Sequence, residues 1–402
     1  PRHAMKHLIA ALAALAIGPC DRESLRNVAE LGDDDPSTAC AVPAGEPFRV
    51  LFDGFEAPMR NYEVFSSGGA PASDPAGWVL CGSHDGRRWV ELDRREGASF
   101  CSRFQPLAGR IAQPSDYAAY RLEFFPQSGA DTVAVGEVRF RDRDREAGWS
   151  AFVYPEVRFE VLSPETEGAA IYARLVQRPD DYIRHHARKV AEELFYSAAD
   201  TMNAVGRIDY TLSDYEGVSA KSGTPAATSI VYSTRHIERS AVESLAKLDY
   251  ETRGVLFHEL VHAYQFEPRG IGTYSTNREF WACIEGLADA VRAQAGYFDA
   301  EALRRPGGHW LDGYRTTGFF LQWLTTLRPD ALREFHVTVR DLEPWSFDGA
   351  MRAMFGPERG IERMWAEYQE FLAAEQAGAE RQMQAERQAG AQAEQRAQAA
   401  GR

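Results

Sequence analysis

Nowhere in these 402 residues does an apolar run reach the about 20 residues that a membrane-spanning helix needs. Positive charge is also scarce. Lys and Arg number 45 against 59 Asp and Glu, for a formal net charge of -14, and no Lys/Arg block or stripe of stacking aromatics relieves it. Such a surface repels phosphate backbones, so nucleic acid is excluded as a partner. Cysteine is sparse, five in all. What is abundant is core material: 44% hydrophobic against 26% charged residues is the balance of a folded chain, because disordered chains carry fewer apolar residues and a larger charge imbalance. The length implies two domains plus tails, since a single core stops growing near about 250–300 residues.

The apolar run that does occur, Leu8 to Ile17 behind Met5-Lys6-His7, has the length of a secretory-signal core. It meets Gly18-Pro19-Cys20, which resembles a lipoprotein signal whose Cys becomes the acylated first residue. Pro19 stands where that pattern has Gly, Ala or Ser, so lipidation at Cys20 and ordinary cleavage downstream both stay open. Residues 1–20 are expected to be a signal segment. The protein is then secreted, periplasmic or envelope-anchored, touching a membrane only through an anchor at Cys20. An oxidising destination allows a disulfide, and Cys81 and Cys101, in two apolar segments of one domain, are the expected pair. Cys283, on an apolar helix face, reads as a small buried hydrophobe.

Residues 21–45 mix the acidic run Asp33 to Asp35 with Pro36, Ser37 and small residues without a period, the composition of a linker. Over residues 46–145, short runs such as Val50-Leu51-Phe52, Trp78-Val79-Leu80 and Val133 to Phe140 alternate with Gly, Pro, Asp and Ser clusters, predicting an all-β sandwich. The stretch Asp74 to Trp89, followed by Tyr120-Arg121-Leu122 and Gly136 to Phe140, resembles discoidin-like (coagulation factor type C) domains. The resemblance implies a β-sandwich with loops at one end for a glycan or cell-surface ligand, and no binding residue carries over because those loops vary. A purely structural or spacer role is an equal reading.

Beyond it, Val157 to Val161 alternates like a strand, Tyr182 to Met202 reads as a helix, and Ala227 to Ser233 is strand-like again. Helical patterns dominate from Ala241 to Phe371, so residues 155–372 are predicted to form an α+β domain. A fragment beginning near Ser150 is expected to fold and bind metal by itself. Residues 376–402, almost without large apolar side chains, form a low-complexity tail, a solvated helix or a disordered segment.

The chemistry sits in Gly254-Val255-Leu256-Phe257-His258-Glu259-Leu260-Val261-His262-Ala263-Tyr264-Gln265, an H-E-x-x-H motif in an apolar run without Pro. Residues four apart share a helix face, so His258 and His262 can aim at one ion with Glu259 beside it. In metallopeptidases that Glu takes the proton of the attacking water while the metal polarises the carbonyl. A pentapeptide arises by chance, and a surface pair of His residues is the plain alternative. Val255, Leu256, Leu260 and Val261 argue against it, because buried His and Glu need partners. Downstream, Glu285 and Asp289 lie four apart on a second apolar helix, where Glu285 can complete the zinc ligands and Asp289 can accept a ring N–H of a ligating His.

This E-x-x-x-D spacing resembles thermolysin-like gluzincins. The ordered motifs Gly254 to Gln265, Ile284 to Asp289, Ala295-Gly296-Tyr297, Trp310 to Tyr314 and Phe319 to Leu324 resemble more closely the basic secretory protein family of plants and bacteria, read as zinc peptidases. Two departures stand out: this chain is acidic, and the insert from Phe266 to Ala282 is long enough to reshape a substrate cleft. The resemblance implies a zincin-like fold with one catalytic Zn2+ on His258, His262 and Glu285, Asp289 supporting them and Glu259 as general base. Tyr314 and His309 are the candidates to stabilise the oxyanion, and the strand near Ile230 to Ser233 is the candidate to pair with an extended peptide or protein substrate. The rivals are a surface-binding or defence-type protein with a vestigial zinc site, and a zinc hydrolase of cell-wall material.

Overall fold

The computed structural model describes residues 29–144, 146–224 and 226–400, with side chains as far as residue 388. The Leu8–Ile17 run and Cys20 lie outside them. No described helix is long and apolar enough to cross a membrane.

The first domain is the expected sandwich. One sheet has the order β2 (Phe48–Asp53), β7 (Ala119–Phe125), β4 (Gly77–Ser83), β5 (Val90–Glu96); the other has β1 (Cys40–Pro43), β8 (Thr132–Arg141), β3 (Asn61–Ser66), β6 (Pro106–Arg110). All neighbours pair antiparallel. Period-two alternation buries Phe48, Val50 and Phe52 from β2 against Tyr62, Val64, Val135 and Val138 of the facing sheet. Two polar tips are satisfied inside: Trp78 Nε1 donates to the Tyr62 hydroxyl (2.8 Å), which donates to Asp93 (2.6 Å).

Two expectations need correction here. The linker over residues 21–45 is shorter than its composition suggested, because Leu31 is fully buried in the sandwich core and β1 pairs with β8, Cys40 opposite Val135. Its acidic run closes local turns: Asp33 accepts the backbone N–H of Asp35 and the Thr38 hydroxyl, and Asp35 accepts from Ser37. Cys81 and Cys101 are both free thiols. Cys81 stays in β4 beside Arg121, whereas the loop carrying Cys101 packs away from it, into the core of the second domain.

That second domain has a four-stranded sheet in the order β11 (Ser219–Thr224), β12 (Ala227–Ser233), β10 (Arg207–Ser213), β9 (Glu156–Val161). β12, β10 and β9 run parallel, and β11 is an antiparallel edge. The strand expected at 230–233 to receive substrate is therefore internal, with both edges occupied. Helices α1 (Glu167–Leu175) and α2 (Pro179–Leu194) connect β9 to β10. The helix read as far as Met202 stops at Leu194, where Phe195 turns extended and buries its ring against Phe266 and His336. After α3 (Thr234–Ala241) come α4 (Leu245–Tyr264), α5 (Arg278–Gln294), α6 (Ala300–Leu303), α7 (Tyr314–Leu327), α8 (Ala331–Asp341), α9 (Phe347–Phe355) and α10 (Ile361–Ala400), whose end carries the low-complexity sequence as helix.

Ser244 caps α4 by accepting the N–H of Lys247 (3.0 Å), and no Pro interrupts it before Gln265. From Leu248 on it is buried on most sides, its charged side chains included, and it runs through the core. Asn277 caps α5. α5 and α7 approach closely because Gly286 faces Thr317 and Gly318 faces Asp289, where a Cβ would stand 2.4 and 2.8 Å from those side chains.

The domains interlock. The β5–β6 loop gives the carbonyl of Cys101 to the N–H groups of Gln177 and Arg178, and Arg103 donates its N–H to Leu175. The buried guanidinium of Arg253, on α4, holds Asp249 (2.8 Å) and the carbonyls of Arg103 (3.1 Å) and Phe104 (3.0 Å). Arg103 is itself 1% exposed and locked to Asp74 at 2.7 and 2.6 Å. The expectation of a self-sufficient fragment from Ser150 overlooks these bonds.

Candidate metal centre

Three ligand atoms converge where α4 meets α5. His258 Nε2 and His262 Nε2 are 3.1 Å apart, and Oε2 of Glu285 stands 3.3 Å from the first and 3.6 Å from the second. An ion bound tetrahedrally at about 2.0–2.1 Å requires ligand atoms about 3.3 Å apart, so this triangle has the right size for zinc. Among the described residues these three form the one such group of His, Cys, Asp and Glu. The donor set of two imidazoles and a carboxylate suits Zn2+ and leaves a fourth position free.

The spacing explains the convergence. His258 and His262 are one turn apart on α4, and their rings meet edge to face at 4.7 Å. Asp289, one turn beyond Glu285, accepts the Nδ1–H of His258 at 2.8 Å, which turns Nε2 toward the triangle. Burial alone would lower the His258 pKa, but its bonds to Asp289 and Glu285 carry it up to about 10. Burial would likewise raise Glu285, yet the two imidazoles hold its carboxyl well below the usual range. The carboxylates of Asp289 and Glu285 thus favour positive charge at His258.

Glu259 is 5% exposed and accepts a bond at Oε1 from the Ser219 hydroxyl, on the edge strand β11. Tyr314 opens α7 with φ 40°, a conformation costing about 1–3 kcal/mol for a tyrosine. That backbone lays its ring parallel to His258, with centroids 6.0 Å apart and 15° between planes. Burial, and then the charge of Glu285, raise the Tyr314 pKa. His309 does not join the cluster. It is exposed, its Nδ1 accepts the N–H of Leu311 (3.1 Å), and its ring stacks on Trp310 at 3.8 Å.

Three functional contacts went unread in the sequence. Tyr274, on the insert, donates its hydroxyl to Glu285 Oε1 at 2.6 Å. Ser219 reaches Glu259 from a strand with no apolar alternation. Gln265 contacts His262 at 2.7 Å, and its i+3 spacing was the one available signal. Of the expected insert, only residues 266–277 form a loop, since α5 already begins at Arg278.

An all-β sandwich is thus followed by an α+β domain that brings two imidazoles and a carboxylate together. The family described as "Peptidase of plants and bacteria" matches residues 154–368, more than half of the chain, and the chain belongs to it. No curated protein matches. Similar solved structures include several that each cover about a third of the chain or less. They include CpGH89CBM32-6 of Clostridium perfringens, at 19% identity and TM-score 0.23 over 29% of this chain and 87% of that one. Another is the F5/8 type C domain of a Bacteroides fragilis protein, at 11% and 0.24 over 28% and 77%. A third is CBM32 of AlyQ in complex with 4,5-unsaturated mannuronic acid, at 13% and 0.25 over 33% and 95%. At these values the likeness says nothing about what the sandwich of this chain binds.

Proposed function

We propose that the second domain hydrolyses peptide bonds at a single zinc held by His258, His262 and Glu285, with Glu259 as general base. The observation that carries this reading is the 3.1, 3.3 and 3.6 Å triangle of ligand atoms beside a buried carboxylate that is not one of them. A bound zinc would supply Lewis acidity, lowering the pKa of water and polarising the scissile carbonyl. Ser219 occupies Oε1 of Glu259 and leaves Oε2 to take the proton of the attacking water. Tyr314 holds its proton, burial raising its pKa, so its hydroxyl is the donor for the developing oxyanion, whereas the Tyr274 proton is already given to Glu285. An extended substrate would lie along the outer edge of β11, which also carries Ser219.

The test is zinc content and hydrolysis of an unfolded protein before chelation, after chelation and after zinc is restored. Activity that falls and returns with zinc supports the reading. Full activity in the zinc-free protein overturns it.

A further inference from the structure

A ligating imidazole must carry its proton on the nitrogen that faces away from the ion. We propose that Gln265 sets this for His262: its side-chain oxygen accepts the Nδ1–H and keeps the Nε2 lone pair free. The inference rests on the metal reading above and assigns a positioning residue to it.

Gln265 is the first residue after α4 and is 4% exposed. Its terminal amide nitrogen is drawn 2.7 Å from Nδ1 of His262, and its Oε1 is then buried without a partner. The two ends of a carboxamide have the same shape, so the hydrogen-bond network decides which way it faces. With nitrogen toward the ring, His262 accepts at Nδ1 and its proton must sit on Nε2. That proton would point into the triangle, toward Nε2 of His258 at 3.1 Å, and bar a cation. The buried Oε1 would in addition lack a donor. Turned over, the oxygen receives the Nδ1–H, and the NH2 group takes the place where an acceptor finds no donor.

The support is rigid. Asn203 Nδ2 donates to the carbonyls of Gln265 (2.8 Å) and Tyr264 (3.3 Å), and the N–H of Phe266 donates to His336 Nε2 (2.8 Å). The chain on either side of Gln265 is thus pinned by two segments outside α4. Each ligating His then has an oxygen on its Nδ1: a carboxylate from Asp289 on His258 and a neutral amide from Gln265 on His262.

The experiment compares full-length wild type, Gln265→Glu and Gln265→Leu by zinc affinity in chelator competition. Long-range 1H–15N spectra of the zinc-loaded wild type supply a second readout. The Glu carboxylate can only accept from Nδ1–H, but its second oxygen lies where no donor is found, so Gln265→Glu should bind zinc more tightly than Gln265→Leu. Gln265→Leu should bind about 10–100-fold more weakly. The spectra should give His262 a proton on Nδ1, and they decide the matter even if Gln265→Leu fails to fold. Zinc binding in Gln265→Leu equal to wild type, or Gln265→Glu as weak as Gln265→Leu, overturns the assignment of Gln265 alone. Failure of the wild type to bind zinc overturns the metal reading and this inference together.

Discussion

Asp289 Oδ1 lies 2.8 Å from His258 Nδ1, across the contact between α5 and α4. Its carboxylate fixes which nitrogen of His258 faces Glu285. Asp289→Ala is therefore expected to keep a folded protein with zinc affinity about 10–100-fold weaker. Glu285→Ala, which removes a ligand, is expected to abolish tight binding. Metal analysis after dialysis checks both; equal zinc in wild type and Glu285→Ala would rule out the ligand set.

A fragment beginning near Ser150 retains every proposed ligand but loses the carbonyls of Arg103 and Phe104 that hold the buried Arg253. It also uncovers Leu175 and Val176, which are fully or almost fully buried. The fragment should melt below the full chain and hold zinc less tightly. Equal melting and equal affinity would mean that the β5–β6 loop is dispensable.

His336 ties acid stability to the end of α4. Burial, reinforced by Arg340, pushes its pKa down to about 4, and its neutral Nε2 accepts the N–H of Phe266. The unfolded value is about 6.5, so the folded state disfavours the charged form. This contribution to stability is fully present above about pH 6.5 and is lost as the pH falls toward 4, at most about 3 kcal/mol. Urea unfolding of zinc-free protein at pH 7 and 4.5 should show the loss. His336→Gln, which keeps an acceptor that does not titrate, should flatten the dependence, and an unchanged slope would remove His336 from the account.

Tyr274→Phe and Tyr314→Phe each delete one hydroxyl and keep the ring, including the stacking of Tyr314 on His258. Tyr314→Phe should retain zinc and lose about 100- to 1000-fold in kcat, the scale of one oxyanion donor. Tyr274→Phe removes the bond to Glu285 Oε1 and should instead weaken zinc binding. Unchanged kcat in Tyr314→Phe would take that tyrosine out of the role.

Helical spacing made the centre readable before the fold was known. Four-residue steps put His258 with His262 and Glu285 with Asp289, and the apolar neighbours of each pair placed both helices inside. The sandwich was legible for the same reason, through alternation in β2, β7 and β8. What escaped was set by contacts distant in sequence. β11 reads Ser-Ala-Lys-Ser-Gly-Thr, with no apolar alternation, so the edge strand was assigned to the internal β12, and Ser219 was passed over. β1 is four residues long beside an acidic run and read as linker. Tyr274 lies on a loop, where nothing local says that it folds back over Glu285. His309 drew notice by proximity to Tyr314 alone, and its turn faces it elsewhere.

The central claim is that Glu259 handles the proton while three other residues hold the metal. Glu259→Gln preserves size and an oxygen for Ser219 but removes the basic carboxylate. Zinc stoichiometry and peptide hydrolysis measured on one preparation of Glu259→Gln separate the two roles. Full zinc with turnover reduced about 100- to 10,000-fold is the predicted result. Full zinc with full activity would contradict it, leaving α4 as the carrier of a structural ion.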